Sequence, residues 1–153
     1  MRHISSSIVV RAPAGFALSF LNTYLHERRP DTTTSQIRLE VPLTALADSF
    51  AIQKTVDIDA SLEKSADGQS DVLAITWQPH GGGPFPSFAG IVSGAITAEE
   101  LSTLTLEGDY IVPGKLAGIL FDVTVGMGIA RATLQRLLTT FRDLIEADYR
   151  QRI

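Results

Sequence analysis

The sequence predicts an α+β fold in which an antiparallel sheet of about six strands carries a short helix after its first strand and a long helix at its end. Three observations predict it. From Gly114 to Ile153, apolar residues recur at spacings of three or four (Leu116, Leu120, Val123, Met127, Ala130, Leu134, Leu137, Phe141, Leu144, Ile145), while Arg131, Arg136, Arg142, Asp143 and Arg150 fall mostly off that stripe. Between about residues 37 and 110 the period changes to two, in stretches separated by glycine, proline and aspartate. A helix as long as the last one also cannot bury its stripe against itself, so it needs a broad apolar surface, which a sheet supplies.

In chain order, Ile4 to Val10 is β-branched and serine-rich and reads as the first strand. Pro13 suits the first turn of a helix, where its missing N–H costs nothing; Ala14, Ala17, Leu18, Leu21, Tyr24 and Leu25 continue at helical spacing until Arg28-Arg29-Pro30-Asp31. After a polar loop, Ile37, Leu39 and Val41 alternate with Arg38 and Glu40, and Pro42 closes that strand or places it at an edge. Leu43 to Phe50 fits either a helical turn or an irregular connection. Val56, Ile58, Ala60 and Leu62 alternate with Asp57, Asp59, Ser61 and Glu63, the cleanest strand in the chain. Asp67-Gly68 then turns it into Leu73, Ile75 and Trp77, so the two stretches read as a hairpin. The run from Pro79 to Pro86, with Gly81-Gly82-Gly83, excludes regular structure. Phe88 to Thr97 is a strand interrupted by Gly90 and Gly94, which suggests a bend, a bulge or close approach of other atoms. Leu104, Leu106 and Tyr110 mark the last strand, and Val112-Pro113-Gly114 leads into the terminal helix.

The 153 residues predict one domain, residues 1–153, with a real core, and 44% apolar against 20% charged residues excludes a disordered chain. A net charge of −4 gives no electrostatic footprint for nucleic acid. The absence of cysteine removes disulfides, thiolate nucleophiles and cysteine metal sites. The first residues are too short and polar to make a signal peptide, and the longest apolar-and-glycine run, Leu116 to Phe121, is far below the ~20 residues that span a bilayer. The expectation is a soluble, cytoplasmic protein without a membrane span.

The order of elements, together with Val10-Arg11-Ala12-Pro13-Ala14, Phe85-Pro86-Ser87-Phe88 and the run Leu106-Glu107-Gly108-Asp109-Tyr110-Ile111-Val112-Pro113-Gly114-Lys115-Leu116-Ala117-Gly118, resembles the SRPBCC or START-like superfamily with its helix-grip (Bet v 1-like) fold. The resemblance is greatest to bacterial members with a glycine-tyrosine and a proline-glycine turn before the helix, and it spans nearly the whole chain. Where such members often have a second proline after the tyrosine, this chain has Ile111-Val112-Pro113, which would shift the entry angle of the helix. The resemblance implies a curved sheet wrapped around the C-terminal helix with a cavity between them. The superfamily includes lipid and sterol carriers, plant hormone binders, polyketide cyclases or aromatases and a co-chaperone branch, so the fold alone constrains function only to something apolar in a cavity.

Several motifs are weaker than they look. Phe121 to Ala130 imitates a strand running into a dinucleotide loop, but Arg131 stands at the third glycine position and no second parallel strand can follow. Gly114, Gly118, Gly126 and Gly128 read instead as close helix–sheet crossing or as space beside the helix. Gly81-Gly82-Gly83 lacks the Lys-Ser/Thr of a phosphate loop and precedes a strand. Phe85 and Phe88 flank it and either plug the core or cap the opening, with the plug preferred. His3, His26 and His80 lack metal-ligand spacing, Asp57 and Asp59 read as solvent-facing, and no serine sits in a nucleophile elbow. Asp122, the one charge in the first half of the last helix, reads as a carboxylate favoured by the helix dipole or simply exposed.

No convincing catalytic set, metal site or cofactor emerges. The leading expectation is a binder of a small hydrophobic or amphipathic molecule, lipid-like or polyketide-like. Its walls would be Ile58, Ile75, Trp77, Phe88, Val92, Leu106, Tyr110, Leu120, Phe121 and Met127, with Trp77 and Tyr110 as orienting groups. The alternatives are a cyclase or aromatase-type enzyme and a protein-interaction module with a filled cavity; a homodimer stays open.

Overall fold

The computed structural model describes residues 2–27, 35–42, 51–68, 70–80, 87–111 and 123–152, with the backbone alone at residues 2, 27, 35–42, 51–54 and 123–129. The elements are β1 (Arg2–Val10), α1 (Ala14–Glu27), β2 (Ser35–Pro42), β3 (Ala51–Lys64), β4 (Asp71–Pro79), β5 (Ser87–Ala98), β6 (Leu101–Ile111) and α2 (Val123–Arg152). All strand pairs are antiparallel, in the order β1-β6-β5-β4-β3-β2. The expected α+β architecture is present, with the short helix after the first strand and the long one at the end. β2 lies at one edge, where the missing N–H of Pro42 is harmless. The expected start of the last helix at Gly114 and the ambiguous Leu43–Phe50 lie outside the described residues. Among the described residues no helix is long and apolar enough to cross a membrane.

Alternation decides which face is covered. Val56, Ile58 and Ala60 of β3, Leu73, Ile75 and Trp77 of β4, Leu104, Leu106 and Tyr110 of β6 and Ile4, Ile8 and Val10 of β1 are buried, while Asp59, Ser61, Glu63, Thr76, Gln78, Ser5 and Ser7 are exposed on the other face. Against the buried face, α1 contributes Ala17, Leu18, Leu21 and Leu25, and α2 contributes Leu134, Leu137, Leu138, Phe141 and Ile145. The first helical hydrogen bond of α1 runs from Ala17 N to Pro13 O at 3.0 Å, so Pro13 sits where the sequence puts it. The buried Ser102 hydroxyl donates to Ala12 O at 2.8 Å and so ties β6 to the link between β1 and α1. A Cβ on Gly94 would lie 2.9 Å from Ala14 Cβ; this glycine lets the start of α1 settle on β5.

The long helix packs against β1 and β2, the two edges of the sheet, and against β6. It is pinned along β1. The Ser6 hydroxyl donates to Gln135 Oε1, and Arg11 N donates to Glu146 Oε2 at 2.9 Å. Eleven helical residues at ~1.5 Å and five strand residues at ~3.3 Å both advance about 16 Å, so α2 and β1 run in the same direction and in step.

Candidate functional site

The antiparallel register assembles the expected walls row by row. Ile58 stands opposite Trp77, Trp77 opposite Phe88, and Phe88 opposite Tyr110, giving one continuous row across four strands. All four side chains are buried, and the Trp77 and Phe88 rings stack with centroids 4.5 Å apart and planes at 19°. Such a pair adds about 0.5–1.5 kcal/mol to what its buried area contributes. Phe88 is thus a core aromatic, as preferred from the sequence; Phe85 lies outside the described residues.

The next row is Ala60, Ile75, Gly90, Gly108 and Ile4. Its two glycines are sterically required. A Cβ on Gly90 would sit 2.2 Å from the Glu107 carbonyl oxygen and 2.7 Å from Phe88 Cζ, and one on Gly108 would sit 2.3 Å from the Ala89 carbonyl oxygen. The bare backbone of Gly90 therefore receives the edge of the Phe88 ring, and that ring is held in place by a position one row away. A third row contains Leu73, Val92 and Leu106.

The rows are covered to a similar extent, with Ala60 of the second row as exposed, at 5%, as any side chain of the first. Ile75, Val92 and Leu106 have 0% exposure, so protein atoms enclose them on every side. Trp77 and Tyr110, at 5% each, keep a sliver of accessible surface. The register thus brings seven of the ten expected wall residues onto one sheet face. Leu120 and Phe121 lie outside the described residues, as do Asp122 and Gly81 to Gly83. Met127 belongs to α2, where the backbone alone is described.

The ionisable groups gather on the opposite, exposed face. His3 lies 3.6 Å from Glu107 and 3.4 Å from Asp109, and His80 Nδ1 lies 3.0 Å from Asp57 Oδ1. His3 and Asp109 are direct cross-strand partners. Nothing local in the sequence pairs them, because the match depends on the first strand lying beside the last. Among the described residues, no group of three His, Cys, Asp or Glu side chains could hold a metal ion. A further polar cluster joins the end of α2 to the β5–β6 turn, where the Tyr149 hydroxyl donates to Glu100 Oε1 at 2.7 Å and the Tyr149 ring packs 5.0 Å from Phe16. That hydrogen bond, followed by desolvation and the negative charges of Glu100 and Glu99, raises the Tyr149 pKa above its ordinary value.

No protein-family model and no curated protein matches the chain. Solved structures do resemble it. A conserved protein from Geobacillus kaustophilus superposes with a TM-score of 0.57 at 16% identity, covering 94% of this chain and 95% of that one. The Zhui aromatase/cyclase from a Streptomyces species gives 0.53 at 16% identity over 99% of this chain and 94% of its own. A Thermus thermophilus protein gives 0.54 at 14% over 96% and 99%. Likeness at this identity carries the fold and nothing finer: the chain is a helix-grip protein, a curved antiparallel sheet closed by its C-terminal helix.

Proposed function

We propose that this protein is a START-like binder of a small hydrophobic or amphipathic molecule, held between the sheet and the C-terminal helix. The observation that carries the reading is the row Ile58, Trp77, Phe88 and Tyr110, a large apolar and aromatic surface on the covered face of the sheet. Such a surface supplies roughly 25 cal/mol per Å² of apolar contact, so micromolar affinity requires no charged clamp. In this reading Ile75, Val92 and Leu106 form the packed floor behind that row, and Leu120, Phe121 and Met127 complete the wall. An aromatase/cyclase-type reaction is the second reading. It is favoured by the likeness to the Zhui aromatase/cyclase, and it requires a base and a proton donor within reach of one substrate.

Mass spectrometry of the purified protein, first native and then denatured, tests the binder. The expected result is a stoichiometric apolar adduct that is lost on unfolding. A bare protein mass, joined by no change in thermal stability with lipid-like or polyketide-like compounds, would remove the reading in favour of an interaction module.

A further inference from the structure

Asn22 of α1 carries a buried acceptor with no donor. Its side-chain Oδ1 is closed off from water and, among the described residues, is the one buried side-chain nitrogen or oxygen without a hydrogen-bond partner. Buried polar atoms are as a rule bonded, and an atom with no accessible surface has no room beside it for a water molecule. The donor one turn further on, His26 Nδ1, serves the Asn22 main-chain carbonyl at 2.6 Å. Asparagine is also a poor residue for a helix interior. Position 22 therefore bears two destabilising features that leucine, of nearly the same branched shape, would remove, and such local conflicts are expected at functional sites.

The fold turns this acceptor toward the candidate row. β1 and β2 are opposite edges of the sheet, about five strand spacings of ~4.8 Å apart, and the 14 residues of α1 extend about 21 Å. α1 packs on β6, β5, β4, β3 and β2, so it runs across the strands and its two flanks face their two ends. Phe16, Phe20 and Tyr24 make one flank, and Phe16 meets Tyr149, whose hydroxyl reaches Glu100 in the turn between β5 and β6. Asn22 lies on the other side of the buried stripe, four residues after Leu18 and three before Leu25. That flank faces the end of the strands that carries Trp77, Phe88 and Tyr110.

Resting on the binding reading above, we infer that Asn22 Oδ1 is the polar anchor for the ligand, and that the ligand carries a hydroxyl or N–H group and is not a carboxylate-ended chain. An amide oxygen only accepts, so its partner must donate, and an ionised carboxylate has no proton to give. The reverse orientation of the amide would set two unpaired donors inside in place of one acceptor. In the free protein the unmet acceptor lowers stability. A ligand that moves the side chains closing it off and supplies the donor recovers that loss as affinity.

Calorimetric titration at neutral pH tests this with 2-naphthol against 2-methoxynaphthalene, and with 1-decanol against its methyl ether and decanoate. The proteins are the wild type, Asn22→Leu and Thr23→Ala, the last an exposed position on the same helix. In the wild type a hydroxyl compound should bind about tenfold tighter than its ether; Asn22→Leu should bind the two equally, and Thr23→Ala should keep the preference. Free Asn22→Leu should also unfold at a higher temperature than the wild type. A lower unfolding temperature would mean that the acceptor is already satisfied in the fold, and overturns the inference. Equal binding of hydroxyl and ether by the wild type, or a preference that survives in Asn22→Leu, removes the anchor and leaves the binder standing. Decanoate binding tighter than decanol, and lost in Asn22→Leu, would show the amide donating and overturns the acceptor role. If no probe binds the wild type, the binding reading falls and takes the anchor with it.

Discussion

Gly108 and Gly15 make opposite predictions from the same absent side chain. A methyl group at Gly108 meets the backbone of Ala89 and Gly90, atoms that cannot rotate away, so Gly108→Ala should destabilise by about 1–3 kcal/mol. At Gly15, inside α1, nothing lies within 4 Å of the added carbon, and alanine should stabilise by about 0.5–1 kcal/mol. Urea denaturation should show the two midpoints moving in opposite directions at an unchanged slope. Both glycines look alike in the sequence; what separates them is a neighbouring strand in one case and open solvent in the other.

At the scale of elements, the link between β1 and α1 hangs on Ser102. Its hydroxyl is fully buried and satisfies the Ala12 carbonyl, so Ser102→Ala leaves a buried acceptor without that donor and should cost about 1–3 kcal/mol, read from the thermal or urea midpoint. That contact was not legible in the sequence, where Ser102 is one more hydroxyl beside Thr103, but the elements it joins were. Period two located β3, β4 and β6, and period three-to-four located α1 and the second half of α2, because burial on one face forces those periods. Strand ends were less legible: β3 begins at Ala51, five residues before its clean alternation at Val56, because pairing with β2 extends a strand beyond the stretch that the core requires. The burial of Ile58, Ile75, Trp77, Phe88, Val92, Leu106 and Tyr110 was readable for the same reason as the strands, each being an inward apolar position. The contacts of His3 and His80 with carboxylates were not, since each depends on which strands become neighbours.

At the scale of the whole molecule, the Tyr149–Glu100 contact should contribute to alkaline stability. Tyr149 and Glu100 join the C-terminal helix to the turn between β5 and β6, where Glu100 adopts a left-handed φ of 59°. Because the Tyr149 pKa is raised in the fold, an unfolded chain ionises this phenol first, near its ordinary value of about 10. The contribution is fully present below that pH and is lost as pH climbs through the raised value. Thermal unfolding at about pH 8 and about pH 11 should therefore show a steeper alkaline decline in the wild type than in Tyr149→Phe, with the phenolate absorbance of this residue appearing late.

The pairing of the first strand with the last also sets a schedule for a ribosome. Arg2 finds its partner at Tyr110, and the helix that pins Ser6 and Arg11 follows later still, at Gln135 and Glu146. At about 5–20 residues per second, β1 waits from several seconds to around twenty with its β6 edge unpaired while β2 to β6 are made. During that interval its serine-rich outward face, Ser5 and Ser7, keeps half of the strand wettable, and the helix that packs against its other face, α2, is made last. Slow codons placed after β6 would prolong the exposure of an almost finished sheet, whereas slow codons before β3 would cost little.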